Sequence, residues 1–306
     1  MHLYRVHQEL IDHPIEDVAV EVRRQLAPLE SRVPRGPVAI TGGSRGIWRI
    51  AEIIRAAGDW LRERGAEPFL VPCMGSHNGA TAHGQRQMLE TLGMTGEATG
   101  MDIRAGMDVV KVGDVPSGDV WMDQRCHDAG AVLVINRVKP HTCFTGTVQS
   151  GLTKMMVVGM GKVPSARTFH NTPTPGMNEM LLEMGRCVAD TGRILGGLAI
   201  IEDGFDRTAE IHGVPADEIL EREPALLDRS REYFPRLPFE ALEVLVVNRI
   251  GKLFSGVGMD PNVTGRSGIE GLRFPDTPRV RVIAALSLAP ESHGNAIGVG
   301  MADFIT

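Results

Sequence analysis

Long apolar runs, paired cysteines and blocks of basic residues are all missing from this 306-residue sequence. No stretch approaches the roughly 18 apolar residues that a membrane-spanning helix needs, so no membrane is expected as a partner. The four cysteines, Cys73, Cys126, Cys143 and Cys187, are far apart and include no Cys-x-x-Cys pair. In a chain too large to depend on disulfides they are expected as reduced thiols. Aromatic residues make up only 5% and the net charge is −6, with no stripe of arginines and aromatics. Such a surface does not track a phosphate backbone, which removes nucleic acid from the expected partners. The first residues, MHLYRVHQELIDHP, carry charges where a signal peptide needs its apolar stretch, so the cytoplasm is the expected compartment.

The composition is otherwise that of a compact soluble protein, with 42% hydrophobic and 23% charged residues. Apolar runs ending at Gly or Pro predict buried strands at 37–41, 68–72, 131–138, 197–203, 243–248 and 279–288. Helical patterns lie between them at about 47–64, 81–93, 176–191 and 215–233. This alternation predicts an α/β fold with a mostly parallel sheet covered by helices, in two lobes with the site between them. In such folds the chemistry sits in the loops at the carboxyl ends of the strands.

Three of those loops stand out. Strand 37–41 is followed by Gly42-Gly43-Ser44-Arg45-Gly46, strand 68–72 by Gly75-Ser76-His77-Asn78-Gly79, and strand 131–138 by Lys139-Pro140-His141. Any one loop histidine is ordinarily a cap or a solvated residue. Delivered together at the ends of one sheet, Arg45, His77 and His141 favour a shared site.

The first loop also imitates something else. ITGGSRGIW is similar to the glycine-rich turn of short-chain dehydrogenases, which would imply a nicotinamide reductase. Trp48 occupies the place of that motif's last glycine, and neither Tyr4 nor Tyr233 is followed four residues later by Lys. No Walker-type phosphate loop exists either, since Met156 stands where the first glycine before Gly161-Lys162 should be. The reductase reading ranks well below the one that follows.

Segment 136–170, NRVKPHTCFTGTVQSGLTKMMVVGMGKVPSARTFH, with GGSRGI (42–47) and GSHNGAT (75–81), resembles the lactate racemase family over roughly the first half to two-thirds of the chain. The resemblance implies a racemase or epimerase that inverts the C2 centre of a 2-hydroxy acid with a nickel-pincer nucleotide. It implies that Lys154 tethers the cofactor and that His170, sixteen residues further on, binds the nickel. His77 and His141 would be the two proton-transfer histidines and Arg45 the carboxylate clamp, with Gly42 and Ser44 beside the cofactor. Cofactor-synthesis enzymes are implied as partners, and the oligomeric state stays open.

Several positions depart from the family. Gly42 stands where an Asp is usual, the loop from His141 to Lys154 is longer, and the C-terminal lobe is shorter. Residues 1–240 are therefore expected as the racemase-like catalytic domain and 241–306 as a shortened lobe. Gly268 lies at the approximate place of a carboxylate-binding lysine, and Arg266 is the nearest cation and the candidate substitute.

The residue types suit that chemistry on their own terms. Inversion through hydride transfer needs a base for either enantiomer, and imidazole serves as base in one direction and acid in the other. A guanidinium grips a carboxylate with two parallel hydrogen bonds, which an ammonium does not. Each residue also has a plainer role: Lys154 could end a partly exposed loop ahead of a buried Met155–Val158 segment, and His170 could cap a helix. Asp203 and Asp206 could face the site or terminate a strand. His83, His127, His212 and His293 are expected on the surface or in packing. A binding protein that keeps the pocket without turnover is the second functional reading.

Overall fold

The computed structural model describes residues 4–274 and 277–306, so Met1–Leu3 of the N-terminal segment lie outside the described residues. The chain forms two compact units. The larger comprises Ile11–Lys139 and Gly146–Tyr233; the smaller draws on Met1–Leu10, Pro140–Thr145 and Phe234–Thr306.

In the larger unit, β1 (Gly36–Gly42), β2 (Ala66–Pro72), an antiparallel hairpin of β3 (Val109–Val115) and β4 (Gly118–Asp123), β5 (Ala131–Arg137), β6 (Ile194–Glu202) and β7 (Thr208–Pro215) follow in order. The central sheet has the order β2-β1-β5-β6-β7, parallel except for β7, which pairs antiparallel with β6. Val38–Ile40, Val132–Val134 and Leu198–Ile201 are buried without alternation, because helices cover both faces of a parallel sheet. Helix Ile50–Arg62 shows the complementary pattern, burying Ile50, Ile53, Ile54, Ala57 and Leu61 on one side.

Asp203 makes the return from β6 to β7. Its carboxylate accepts from the backbone N–H groups of Phe205 at 2.9 Å, Arg207 at 3.1 Å and His13 at 3.1 Å. The residue therefore terminates the strand and seats the turn. Burial opposes its ionisation, but these bonds win and hold its carboxyl below the usual carboxylate range.

The strand order reverses between β1 and β5: the chain leaves β1 toward β2 on one side and later returns to β5 and β6 on the other. Right-handed crossovers then place the connecting helices on opposite faces, leaving a crevice at the carboxyl ends of β1 and β5. Backbone pairing between these strands stops at Ile40 and Leu133. Beyond it the Thr41 hydroxyl accepts from Ile135 N–H at 2.9 Å, so a side chain replaces the ladder where the strands part.

The smaller unit holds β8 (Ala241–Val247), β9 (Arg279–Ala285) and β10 (Phe304–Ile305) in a parallel sheet of order β10-β9-β8. Ile250, Met259, Ile283, Ala285 and Met301 form its core.

Candidate active site

The loops after β1 and β2 meet. Ser44 Oγ lies 2.5 Å from His77 Nδ1, a hydrogen bond that fixes the orientation of an otherwise exposed imidazole. Arg45, next to Ser44, is exposed. Behind them, the Gly42 carbonyl accepts from Cys73 N–H at 2.7 Å.

A side chain at Gly42 has no polar space. A Cβ there would come within 2.9 Å of Leu89 Cδ2 and 3.4 Å of Leu70 Cδ1, so the position points into the apolar contact with helix Ala82–Thr91. Gly42→Asp is therefore expected to bury an unpaired carboxylate and cost more than about 3 kcal/mol in urea unfolding. A variant as stable as the parent would show that the strand end points elsewhere.

The third loop is organised from below. Lys139 and Ser150 exchange backbone hydrogen bonds at 2.9 and 3.3 Å, closing the excursion between them. Asn136, at the end of β5, donates from Nδ2 to the Gly151 carbonyl at 2.7 Å. Glu223, buried in helix Ile219–Tyr233, accepts from Thr153 N–H at 2.8 Å and from Thr153 Oγ1 at 2.7 Å. These anchors start a short helical turn, Leu152–Lys154, that widens into one π turn at Met155–Gly159 before helix Lys162–Asn171. Lys154 thus belongs to a helical segment, not to the end of a loop, while Met155–Val158 are buried as expected. A single π turn inside helical chain often marks a functional position.

Glu223 bears directly on pH. Burial pushes its carboxyl up to about 7 against the two Thr153 bonds, which favour the charged form. Its Oε1 has no hydrogen-bond partner among the described residues and sits where a Cβ on Gly151 would come within 2.0 Å. The native state thus holds a proton that the unfolded chain, with an ordinary carboxyl near 4.5, releases earlier. This contribution to stability is complete below pH 4.5, declines as pH rises, and is gone above about 7, a span worth on the order of 3 kcal/mol. Glu223→Gln should remove that decline, so urea midpoints of the two proteins should converge or cross between pH 5 and pH 8. Parallel profiles would refute the buried-proton assignment.

Lys154 and His170 converge on one ring. Lys154 Nζ lies 5.0 Å from the centroid of Phe169, and the His170 ring stands edge-on to it with centroids 5.6 Å apart. His170 is exposed in the last turn of helix Lys162–Asn171. The loop bearing His77 packs on the same segment: Gly75 N–H donates to Gly159 O at 3.1 Å, and a Cβ on Gly75 would meet Val158 O and Ala166 Cβ, each at 3.3 Å. Ser44, Arg45 and His77 on loops, and Lys154 and His170 on helical turns, therefore ride on neighbouring segments of the larger unit.

His141 and Arg266 belong to the smaller unit. His141 Nδ1 accepts from Cys143 N–H at 3.1 Å, which puts the neutral ring's proton on Nε2, and its ring lies 4.5 Å from that of Phe144. Arg266 forks onto Asp303 at 3.1 and 3.2 Å and donates to the carbonyls of Val280 and Arg281. Those bonds tie Arg266 to the ends of the small sheet. Two clefts, of about 430 Å³ beside Cys187 and about 690 Å³ beside Arg266, involve none of the larger unit's candidate residues.

The glycine-rich turn lacks a free helix start. Trp48 N–H donates to Glu202 Oε1 at 2.9 Å, and Arg49 holds a left-handed φ of 58° before the helix begins at Ile50. A dinucleotide phosphate would meet a carboxylate there instead of open amides. Asn136, Glu223 and the buried pair Lys162 and Asp123 were not singled out from the sequence. Asn136 lies within the strand expected at 131–138, as the one polar uncharged residue of that run.

No protein-family model matches the chain, and no curated protein sequence matches it. Solved structures do. The lactate racemase apoprotein from Thermoanaerobacterium thermosaccharolyticum is similar with a TM-score of 0.59 at 13% identity, over 89% of this chain and 68% of that one. A Thermotoga maritima protein is similar with a TM-score of 0.62 at 13% identity, over 91% of this chain and 72% of that one. At such identities the likeness is one of fold: the mixed α/β architecture with its mostly parallel sheet is shared with lactate racemase.

Proposed function

We propose that this protein is a racemase or epimerase of 2-hydroxy acids, using a nickel-pincer nucleotide joined to Lys154. The observation that carries the reading is the meeting of Lys154 and His170 on Phe169, beside the Ser44–His77 pair, in a fold shared with lactate racemase.

The donor set fits such a group. Among the described residues no cluster of three or more His, Cys, Asp or Glu side chains could cage a metal by itself. A lone imidazole and a nearby amine suit a metal that arrives with most of its ligands on an organic carrier, the amine fixing the carrier and His170 adding a nitrogen ligand. When bound, that group supplies the acceptor and donor for the hydride exchanged at the substrate's C2.

The chain's own residues do the rest. Arg45 grips the substrate carboxylate, fixing which face of C2 is presented. His77 and His141 take and return the proton at the C2 hydroxyl oxygen, one serving each enantiomer. Ser44 orients the His77 ring through its Nδ1. Asn136 and Glu223 anchor the turn from which Lys154 projects.

The test is to express the protein with and without cofactor-synthesis enzymes and to offer each preparation a panel of enantiopure 2-hydroxy acids, read by chiral chromatography. Inversion of at least one acid only by the loaded protein is the expected result. A protein that never takes up the cofactor would be a binding protein on the same fold. Arg45→Lys should raise KM by about tenfold or more while leaving kcat within a few fold, because charge survives and the two-pronged grip does not. An unchanged KM would release Arg45 from the carboxylate role.

A further inference from the structure

Beneath the His77 loop lies a buried polar chain that the proposed chemistry does not use. Lys162, Gln85 and Asp123 are each fully buried. Lys162 Nζ stands 3.1 Å from Asp123 Oδ2, donates to Gln85 Oε1 at 2.9 Å, and also reaches the Pro72 carbonyl at the end of β2. Asp123 Oδ1 is occupied by Arg125, whose backbone N–H lies at 2.7 Å and whose Nη1 at 3.1 Å. With its carbonyl fixed by Lys162, the Gln85 amide has one orientation, and its Nε2 donates to the Gly75 carbonyl at 2.8 Å and toward the His77 carbonyl at 3.5 Å.

The loop receiving these bonds needs holding. Asn78, Gly79 and Ala80 have φ values of 53°, 73° and 53°, three successive residues in the left-handed region, two of them with a Cβ. Lys162 itself has a φ of 51°. Such backbone costs on the order of 1 kcal/mol or more per non-glycine residue and persists only where surrounding contacts over-determine it. Burying a lysine and a carboxylate is likewise costly unless each is paired and hydrogen-bonded. A cation buried to reach a loop carbonyl through one glutamine spends stability on the placement of that loop.

We propose that Gln85, oriented by the Lys162–Asp123 pair, is a positioning residue that sets the His77 ring against Ser44, so that the start of the helix whose last turn carries His170 and the loop carrying His77 are held in one register. This deepens the racemase reading and rests on it for the role of His77, but the placement can be read without cofactor or substrate.

The experiment uses the full-length apoprotein with 15N-labelled histidine. The Nδ1 and Nε2 shifts of His77 report its tautomer and its bond to Ser44, and Ser44→Ala supplies the reference for the unbonded ring. Gln85→Glu keeps the acceptor for Lys162 and removes the donor to the loop; Gln85→Met removes both. Each should move the His77 shifts toward the Ser44→Ala values and speed amide exchange at 75–80. In loaded protein each should lower kcat by about tenfold or more with KM little changed, the signature of a misplaced group. The neutral double variant Lys162→Met/Asp123→Asn avoids an orphaned charge and should give the same histidine signature should the Gln85 variants fail to fold. Folded variants with unchanged His77 shifts and loop exchange would overturn the proposal. Altered shifts in a protein whose loaded parent inverts no hydroxy acid would leave the positioning intact and remove the racemase reading instead.

Discussion

Replacing Lys154 with alanine should abolish covalent cofactor and racemisation together, with the fold intact. The side chain is half-buried over Phe169, while its neighbours Leu152, Thr153, Met155 and Met156 are the buried members of that turn. Alanine is the best helix former, so the stability change should stay within about 1 kcal/mol. Lys154→Arg is the sharper control: it keeps the charge over the ring but offers a guanidinium that is never free to acylate. Both variants, expressed with the cofactor-synthesis enzymes, should lack the mass increase on the peptide containing residue 154, retain little nickel and leave an enantiopure substrate unchanged. Inversion at the parent rate by either variant would end the tethered-cofactor reading, whereas a joint loss of folding and activity would make Lys154 structural.

How far the sequence carried the reading depends on which physical signal each residue leaves. The strands at 37–41, 68–72 and 131–138 were legible because a sheet covered on both faces buries every residue and writes an unbroken apolar run. The first two observed strands extend these by two residues each and the third is one residue shorter, and the loops after them carry the candidate side chains. The helical turn that carries Lys154 was not legible for a related reason. Leu152 through Met160 is buried all round apart from Lys154, so it shows no amphipathic period, and its turns rest on Glu223 and Asn136, which are remote in sequence. The β3–β4 hairpin and the antiparallel β7 were also passed over. VVKVGDV and TAEIHGVP alternate only weakly and are half-buried in part, so the two-residue period is diluted. Arg266 was singled out for its charge and place, and the sequence gives no sign of the Asp303 carboxylate and two backbone carbonyls that bond its guanidinium. Asp123 and Lys162 are individually ordinary letters; a buried ion pair is a property of the fold that brings them within 3.1 Å.

Single replacement of either histidine should depress inversion in both directions by the same factor, and the size of the loss should be about 10²- to 10⁴-fold. The equality follows from thermodynamics: two enantiomers of a substrate with one stereocentre have equal free energies, so no variant can speed one direction relative to the other. The chemistry needs a proton taken from the hydroxyl of one enantiomer and one returned to form its mirror image, which two bases divide between them. Ser44 on His77 Nδ1 and the Cys143 amide on His141 Nδ1 give each ring a set orientation. His77→Ala and His141→Ala should each still permit the half-reaction served by the surviving base. In stopped-flow with loaded protein, one variant should then change the cofactor absorbance only with one enantiomer, and the other variant only with its mirror image. Ser44→Ala should produce a milder form of the His77 defect, since the ring remains but loses its orientation. Variants that both respond equally to either enantiomer, or that racemise at the parent rate, would return these histidines to a structural role and leave the proton transfer to other groups.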